Sequence, residues 1–257
     1  GGVVPSRFEM NAAHVLGSAD APVTIYEFSS LGCSHCADFH LNMLPELKKD
    51  YIDSGKVKLV FADFPIDAKS MKGAMLARCM PADRYFDFLS LLFKKQLTWG
   101  LSFKTEKLLT SYAELEGLSA EKAKACMEDD DAAKEIMSVR QDAMEKLQIQ
   151  GTPSFLIRSD LGEEVLPGVP DYEKLKEVME FPAAMTFKVA GVNRENLAQD
   201  IVAVIQKYLP GDYIPKEKLS SKGTYNSVSI DIVAQNFEQV ETLYKELAKV
   251  EGVKMVI

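Results

Sequence analysis

The chain has 257 residues, 47% hydrophobic and 26% charged, with a net charge of -8. That is the composition of a globular protein, and the length is enough for two domains. No apolar run reaches the length of a membrane span, and the acidic balance argues against a nucleic-acid backbone as partner, which needs clustered Lys and Arg.

The charge is uneven along the chain. Residues 1–180 carry 21 Lys+Arg against 29 Asp+Glu, whereas residues 181–257 carry nine of each. A domain boundary is expected near 180. The chain opens Gly1-Gly2 without methionine or a signal-peptide pattern, as expected of a processed product or a cloning remnant.

The first strong element is Val23-Thr24-Ile25-Tyr26-Glu27-Phe28, an apolar, β-branched run suited to a buried strand. Helical spacing of Phe39, Met43, Leu44 and Leu47 predicts a helix over 37–51. Between them stands Cys33-Ser34-His35-Cys36. A C-x-x-C that closes a strand and opens a helix puts its first sulfur at the helix N-terminus. There, free N–H groups and the positive end of the helix dipole stabilise a thiolate. The pattern points to a redox-active dithiol.

Two other readings fit the same residues. Zinc could take the cysteine pair with His35 or His40, but structural zinc usually needs four ligands, and Cys79, Cys126 and His14 are isolated. An inert structural disulfide fits poorly with a helix start that favours the reduced form. Glu27, six residues before Cys33, reads either as a buried acid able to relay protons to Cys36 through water or as a strand-edge acid facing solvent.

A second strand is expected over 56–65, ended by Pro65, and a helix-rich stretch over about 68–148. Within it lie helices near 84–97, 104–116 (stopped by Gly117), 119–128 (capped by Ser119) and 131–147. Strands return at 154–158 and 163–166 around an Asp160-Leu161-Gly162 turn, followed by a helix at 172–179. Thr152-Pro153 precedes the third strand. It reads as an ordinary turn or, if cis, as a fixed turn beside Cys33 that leaves the Thr152 backbone free for an extended substrate chain. The order is a thioredoxin-like βαβ…ββα core with a helical insert.

Residues 8–180 resemble the DsbA family of thiol-disulfide oxidoreductases. The resemblance rests on Glu27-Phe28-Ser29-Ser30, the C-x-x-C, the helical insert and Gly151-Thr152-Pro153-Ser154-Phe155. It implies that Cys33 is the exposed nucleophile, Cys36 the resolving cysteine and His35 a tuner of the thiolate. Pro153 and Thr152 would dock substrate, and Glu27 would be the family's acid. It also implies a second, structural disulfide between Cys79 and Cys126. The cofactor requirement would be none beyond the redox-active disulfide, and no metal. The partners would be reduced protein substrates and a quinone-linked membrane reoxidant of the DsbB type, in the periplasm. Ser34 stands where proline is commonest and Thr152 where valine is frequent, which leaves oxidase strength against isomerase or reductase strength open.

From Phe181-Pro182 a new unit begins. Strands are expected at 186–191, 214–219, 227–234 and 252–257, with helices at 193–208 and 236–249. This βαββαβ order is ferredoxin-like. Pro210-Gly211-Asp212-Tyr213, Ser220-Ser221-Lys222-Gly223-Thr224-Tyr225 and Val240-Glu241-Thr242-Leu243-Tyr244 are similar to the small YbeD family, which implies an ACT-like fold without catalytic residues. The unit has no histidine or cysteine, so a binding, regulatory or inert role is expected, and Lys222-Gly223 reads as a solvated turn or a small-anion loop. YbeD-like proteins are cytoplasmic, so the pairing suggests a fusion, natural or engineered. A ligand-sensing protein with the dithiol as a switch is the rival from another class.

Overall fold

The computed structural model describes residues 14–257, and the opening Gly1-Gly2 lies outside them. The chain divides between Tyr172 and Glu173 into two compact units.

In the first unit, β1 (Val15–Leu16), β2 (Val23–Ser29), β3 (Val57–Asp63), β4 (Ser154–Ser159) and β5 (Gly162–Pro167) form one sheet in the order β1-β3-β2-β4-β5. β2 and β3 run parallel, from Val23 opposite Val57 to Ser29 opposite Asp63. The other pairings are antiparallel. The parallel pair is joined by helix α1 (34–52), the crossover that a parallel connection requires. α1 alternates α-helical turns at Ser34–Asp38 and Leu44–Leu47 with wider π turns at Phe39–Met43 and Lys48–Ile52. Pro45 has no N–H to continue an i→i−4 ladder, so the break between turn types falls where the sequence removes a donor.

The insert holds α2 (Ala68–Ala77), α3 (Tyr85–Lys94), α4 (Gln96–Gly100), α5 (Thr105–Leu115), α6 (Ala120–Met127) and α7 (Asp130–Leu147). Three of its helices, α2, α6 and α7, have side-chain caps: Asp67 accepts from Ser70 N, Ser119 from Lys122 N and Asp129 from Ala132 N. Gly117, at φ +91°, ends α5 in the left-handed region. The aromatic run expected over 84–97 is interrupted at Lys95, giving α3 and the short α4.

Alternation along β2 sends side chains to two cores. Tyr26 and Phe28 meet Val60, Leu156 and Ala143 on the α7 side. On the other side, Phe61 joins Leu31, Cys33, Cys36, Phe88, Leu92 and Trp99 in the core of the helical insert. The dithiol is therefore seated on the insert's core rather than hung on a loop. Cys79 and Cys126 are bonded to each other, joining the end of α2 to α6 across a separation of 47 residues.

Helix α8 (Tyr172–Glu180) leads into the second unit. There β6 (Ala183–Val192), β7 (Lys216–Leu219), β8 (Tyr225–Ala234) and β9 (Val253–Val256) form an antiparallel sheet in the order β7-β8-β6-β9. With helices α9 (Leu197–Tyr208) and α10 (Phe237–Ala248), this is a ferredoxin-like βαββαβ. Phe187, Val189, Val228, Ile230 and Ile232 pack against Ile201, Ile205, Leu243 and Leu247, so both helices cover one face of the sheet. α9 starts four residues after the expected 193 because Asn196 sits at φ +65°, outside helical space. β7 starts after Pro215, which has no ladder donor.

Candidate active site

Cys33 is the N-cap of α1, with extended backbone at φ -87° and ψ 124°. Its carbonyl accepts the Ala37 N–H at 3.1 Å, so the sulfur sits where the first N–H groups of the helix are free. Both Cys33 and Cys36 are reduced. Cys36 is completely buried, while Cys33 keeps 8% of its surface open. That is less open than the exposed nucleophile the resemblance implies, because the Thr152 segment lies on the sulfur: when protonated, Cys33 Sγ donates to the Thr152 carbonyl at 3.4 Å.

The two thiols have opposite acidities. The Cys33 thiol is lowered to about 5, first by the hydrogen bond from the Cys36 thiol. Burial opposes this, while a hydrogen bond from the Thr152 side chain and the N–H groups of Cys36 and His35 add to it. The Cys36 thiol is pushed far up by burial and by its bond to Cys33. A proton therefore resides on the inner sulfur and the negative charge on the outer one.

The remaining expected residues divide into two groups. Thr152–Pro153 is cis and stands against Cys33. Beside it, Ile149, Gln150, Thr152, Pro153, Val165 and Pro167 line a surface recess of about 500 Å³. His35 is on the exposed side of the first turn, next to Ser34 and turned towards solvent.

Glu27 is fully buried, which removes the solvent-facing alternative. At its register on the neighbouring strands stand Phe61 and Phe155, both buried. Its carboxylate is met within this aromatic wall by His40, whose Nε2–H donates to both oxygens at 2.8 and 2.9 Å. The imidazole is wedged among Phe39, Phe61 and Phe93.

His40 is the residue that sequence reasoning misplaced, as a possible metal neighbour. The signal was present: it follows Cys36 by four residues, so the two share a face of α1. Gln96 was missed outright. Its buried Nε2 donates to the carbonyls of Leu31 at 2.7 Å and Cys33 at 2.9 Å, fixing the turn that carries the dithiol. Asp63, at the end of β3, was also missed; burial raises it to about 7, with Glu27's charge adding and Arg78's opposing. Among the described residues no group of three or more His, Cys, Asp or Glu gathers in metal-binding geometry.

Gly32 precedes the dithiol because nothing larger fits. A Cβ there would collide with Ser70 Oγ, which is buried and held by Asp67 at 2.7 Å.

Comparison with known proteins divides the chain as the fold does. A family model described as thioredoxin matches residues 9–180, and one described as a protein of unknown function (DUF493) matches 176–257. The crystal structure of Wolbachia pipientis alpha-DsbA1 is similar, with 30% identity and a TM-score of 0.61 over 65% of this chain and 88% of that one. BdbD from Bacillus subtilis, in its oxidised form, is 29% identical with a TM-score of 0.58, covering 65% and 90%. A UPF0250 protein of Haemophilus influenzae (strain PittEE) is 83% identical over 87 residues, which are 34% of this chain and 95% of that protein. The two family matches overlap at 176–180, inside α8. The chain belongs to the thioredoxin family, its first unit is an enzyme of the thiol-disulfide oxidoreductase type, and its last third is a UPF0250-like, YbeD-like domain.

Proposed function

We propose that the first unit oxidises cysteine pairs in secreted proteins, working in the periplasm. The observation that carries this reading is the split between the two thiols, with Cys33 held at about 5 and Cys36 driven upward by burial. In the oxidised enzyme a substrate thiolate attacks Cys33 Sγ, the Cys33–Cys36 bond breaks, and Cys36 leaves with the electron pair. Buried Cys36 must then take a proton, and the buried Glu27–His40 pair is the proposed source, through water. A second substrate thiolate attacks the substrate sulfur of the mixed disulfide. Cys33 leaves as a stabilised thiolate, the substrate gains a disulfide and the enzyme holds two more electrons. These pass to a reoxidant, for which a quinone-linked membrane protein of the DsbB type is the proposed class.

Two further features support a polypeptide as substrate. The Thr152 backbone is presented beside Cys33, where an extended chain could pair with it. Leu97, Leu101 and Phe103, in and just after α4, leave large apolar surface exposed, and α4 begins at Gln96, which holds the Cys33 carbonyl. Such a surface suits the apolar segments of an unfolded chain.

The redox potential tests the reading. A thiol at about 5 falls between thioredoxin's about 7 and DsbA's about 3.5. The Cys33–Cys36 couple should therefore lie between about -270 and about -120 mV when equilibrated with glutathione. A value at or below the thioredoxin end would instead make the enzyme a reductase.

A further inference from the structure

The second unit has one face of its sheet covered by helices and the other open. On the open face, register places Lys188 of β6, Ser229 of β8 and Lys216 of β7 in one row across three strands. The next row holds Ala190, Ser227 and Lys218. Neighbouring strands lie about 4.8 Å apart, so the two lysines of the first row flank Ser229 at roughly 10 Å from each other. Lys188, Lys216, Lys218, Ser227, Ser229 and Tyr225, with Glu217 among them, line a recess of about 420 Å³.

Like charges gathered on one face of a sheet repel, and a sheet normally answers a charge with an opposite one on the strand beside it. Here it does not. Among the described residues, no ion pair or side-chain hydrogen bond forms at any of the three ammonium groups. Glu217, between two of them in sequence, also lines the recess, but its carboxylate is engaged by Asn226, whose Nδ2 donates to Oε1 at 2.8 Å. Asp231, in the row beyond Ser229, accepts from Thr186 at 2.6 Å. The Ile257 oxygen accepts the backbone N–H of Lys188 rather than its ammonium.

Lysines on an edge strand also have a protective use, since they discourage a further strand from adding. That accounts for Lys216 and Lys218 on β7, which is an edge, but not for Lys188 on β6, which has β8 and β9 on either side. We propose that this open sheet face is a binding site for a small ligand with linked phosphates. The three ammonium groups would neutralise its charges, and the Ser227 and Ser229 hydroxyls would donate to oxygens between them. The recess has the size of a small-molecule site, and the balanced charge of residues 181–257 argues against a long polyanion.

Calorimetric titration of the full chain with inorganic pyrophosphate, at fixed ionic strength, tests this. Saturable binding with Kd below about 1 mM is expected, weakened about tenfold by Lys188→Gln and by Lys216→Gln. Lys245→Gln, on the exposed side of α10, should leave it unchanged. Each single variant is checked for an unchanged circular dichroism spectrum, so that loss of binding is separated from loss of fold. Absence of saturable binding, or binding that both single variants retain, would overturn the site. Titration with ATP in parallel separates two sources of the same chemistry, and both outcomes uphold the site. Tighter binding than pyrophosphate that falls back in Tyr225→Leu marks a nucleotide, and equal binding marks the phosphate chain alone.

Discussion

The two units treat charge in opposite ways. Of the buried polar side chains among the described residues, all but Asn226 lie in the first unit, and they include Glu27, His40 and Asp63. The second unit has an apolar interior and keeps its charges outside. Burying an ionisable group costs several kcal/mol unless it is paired, so a fold that needs only stability avoids it. The first unit accepts that cost in the same part of the molecule that carries the dithiol, where we propose that it serves thiol chemistry. The second has no such group to tune, so any function it has must act through its surface.

Several variants would break or sharpen this contrast. The largest effect is expected from Cys33→Ala, which should reduce oxidation of a dithiol peptide to the uncatalysed rate. Lys245→Gln in the second unit should leave that rate unchanged. Stability should respond next. Replacing both Cys79 and Cys126 by serine should destabilise the first unit by about 4 kcal/mol, since the bond closes a loop of 47 residues in the chain-entropy model. Trp99, the single tryptophan of the sequence, is buried in that unit's core, so its fluorescence during urea unfolding reports this change directly.

His40→Phe removes the partner of a fully buried carboxylate and should cost roughly 3 kcal/mol at neutral pH. The double variant Glu27→Leu with His40→Phe should recover most of that loss while slowing thiol exchange. Strictly additive losses would show that the pair is not a unit. Gly32→Ala should cost about 1–3 kcal/mol through the collision with Ser70, measured in the same unfolding experiment.

A pH dependence completes the set. Cys33 has a folded value of about 5, below its unfolded value near 9, so between these the unfolded chain binds more protons. The stability this contributes is present above the unfolded value and is lost as pH falls through about 5. Only the reduced protein has it, so the stability of the reduced relative to the oxidised form should rise with pH across that window.

Much of this was legible in the sequence, because the signals were local. The strand before the dithiol, the Gly117 stop, the Ser119 cap and the βαββαβ order each depend on neighbouring residues. The features that were not legible depend on distant ones. His40 finds Glu27 from another element, Gln96 reaches the Cys33 carbonyl across 63 positions, and Asp63 is raised by burial no short window reveals. The π turns of α1 escaped for a different reason: apolar spacing looks nearly the same in either helix type. The charge break near 180 fell close to the division at Tyr172 and Glu173, but composition could not show that nearly all of α8 groups with the second unit.

The most direct test of the dithiol chemistry is the titration of Cys33 in the reduced protein, followed by thiolate absorbance and by the rate of alkylation. One transition is expected, with a midpoint near 5, a plateau above it, and no second thiolate across the neutral range, because Cys36 stays protonated. A midpoint near the ordinary thiol value of about 8.5 would contradict the assignment of Cys33 as the stabilised thiolate.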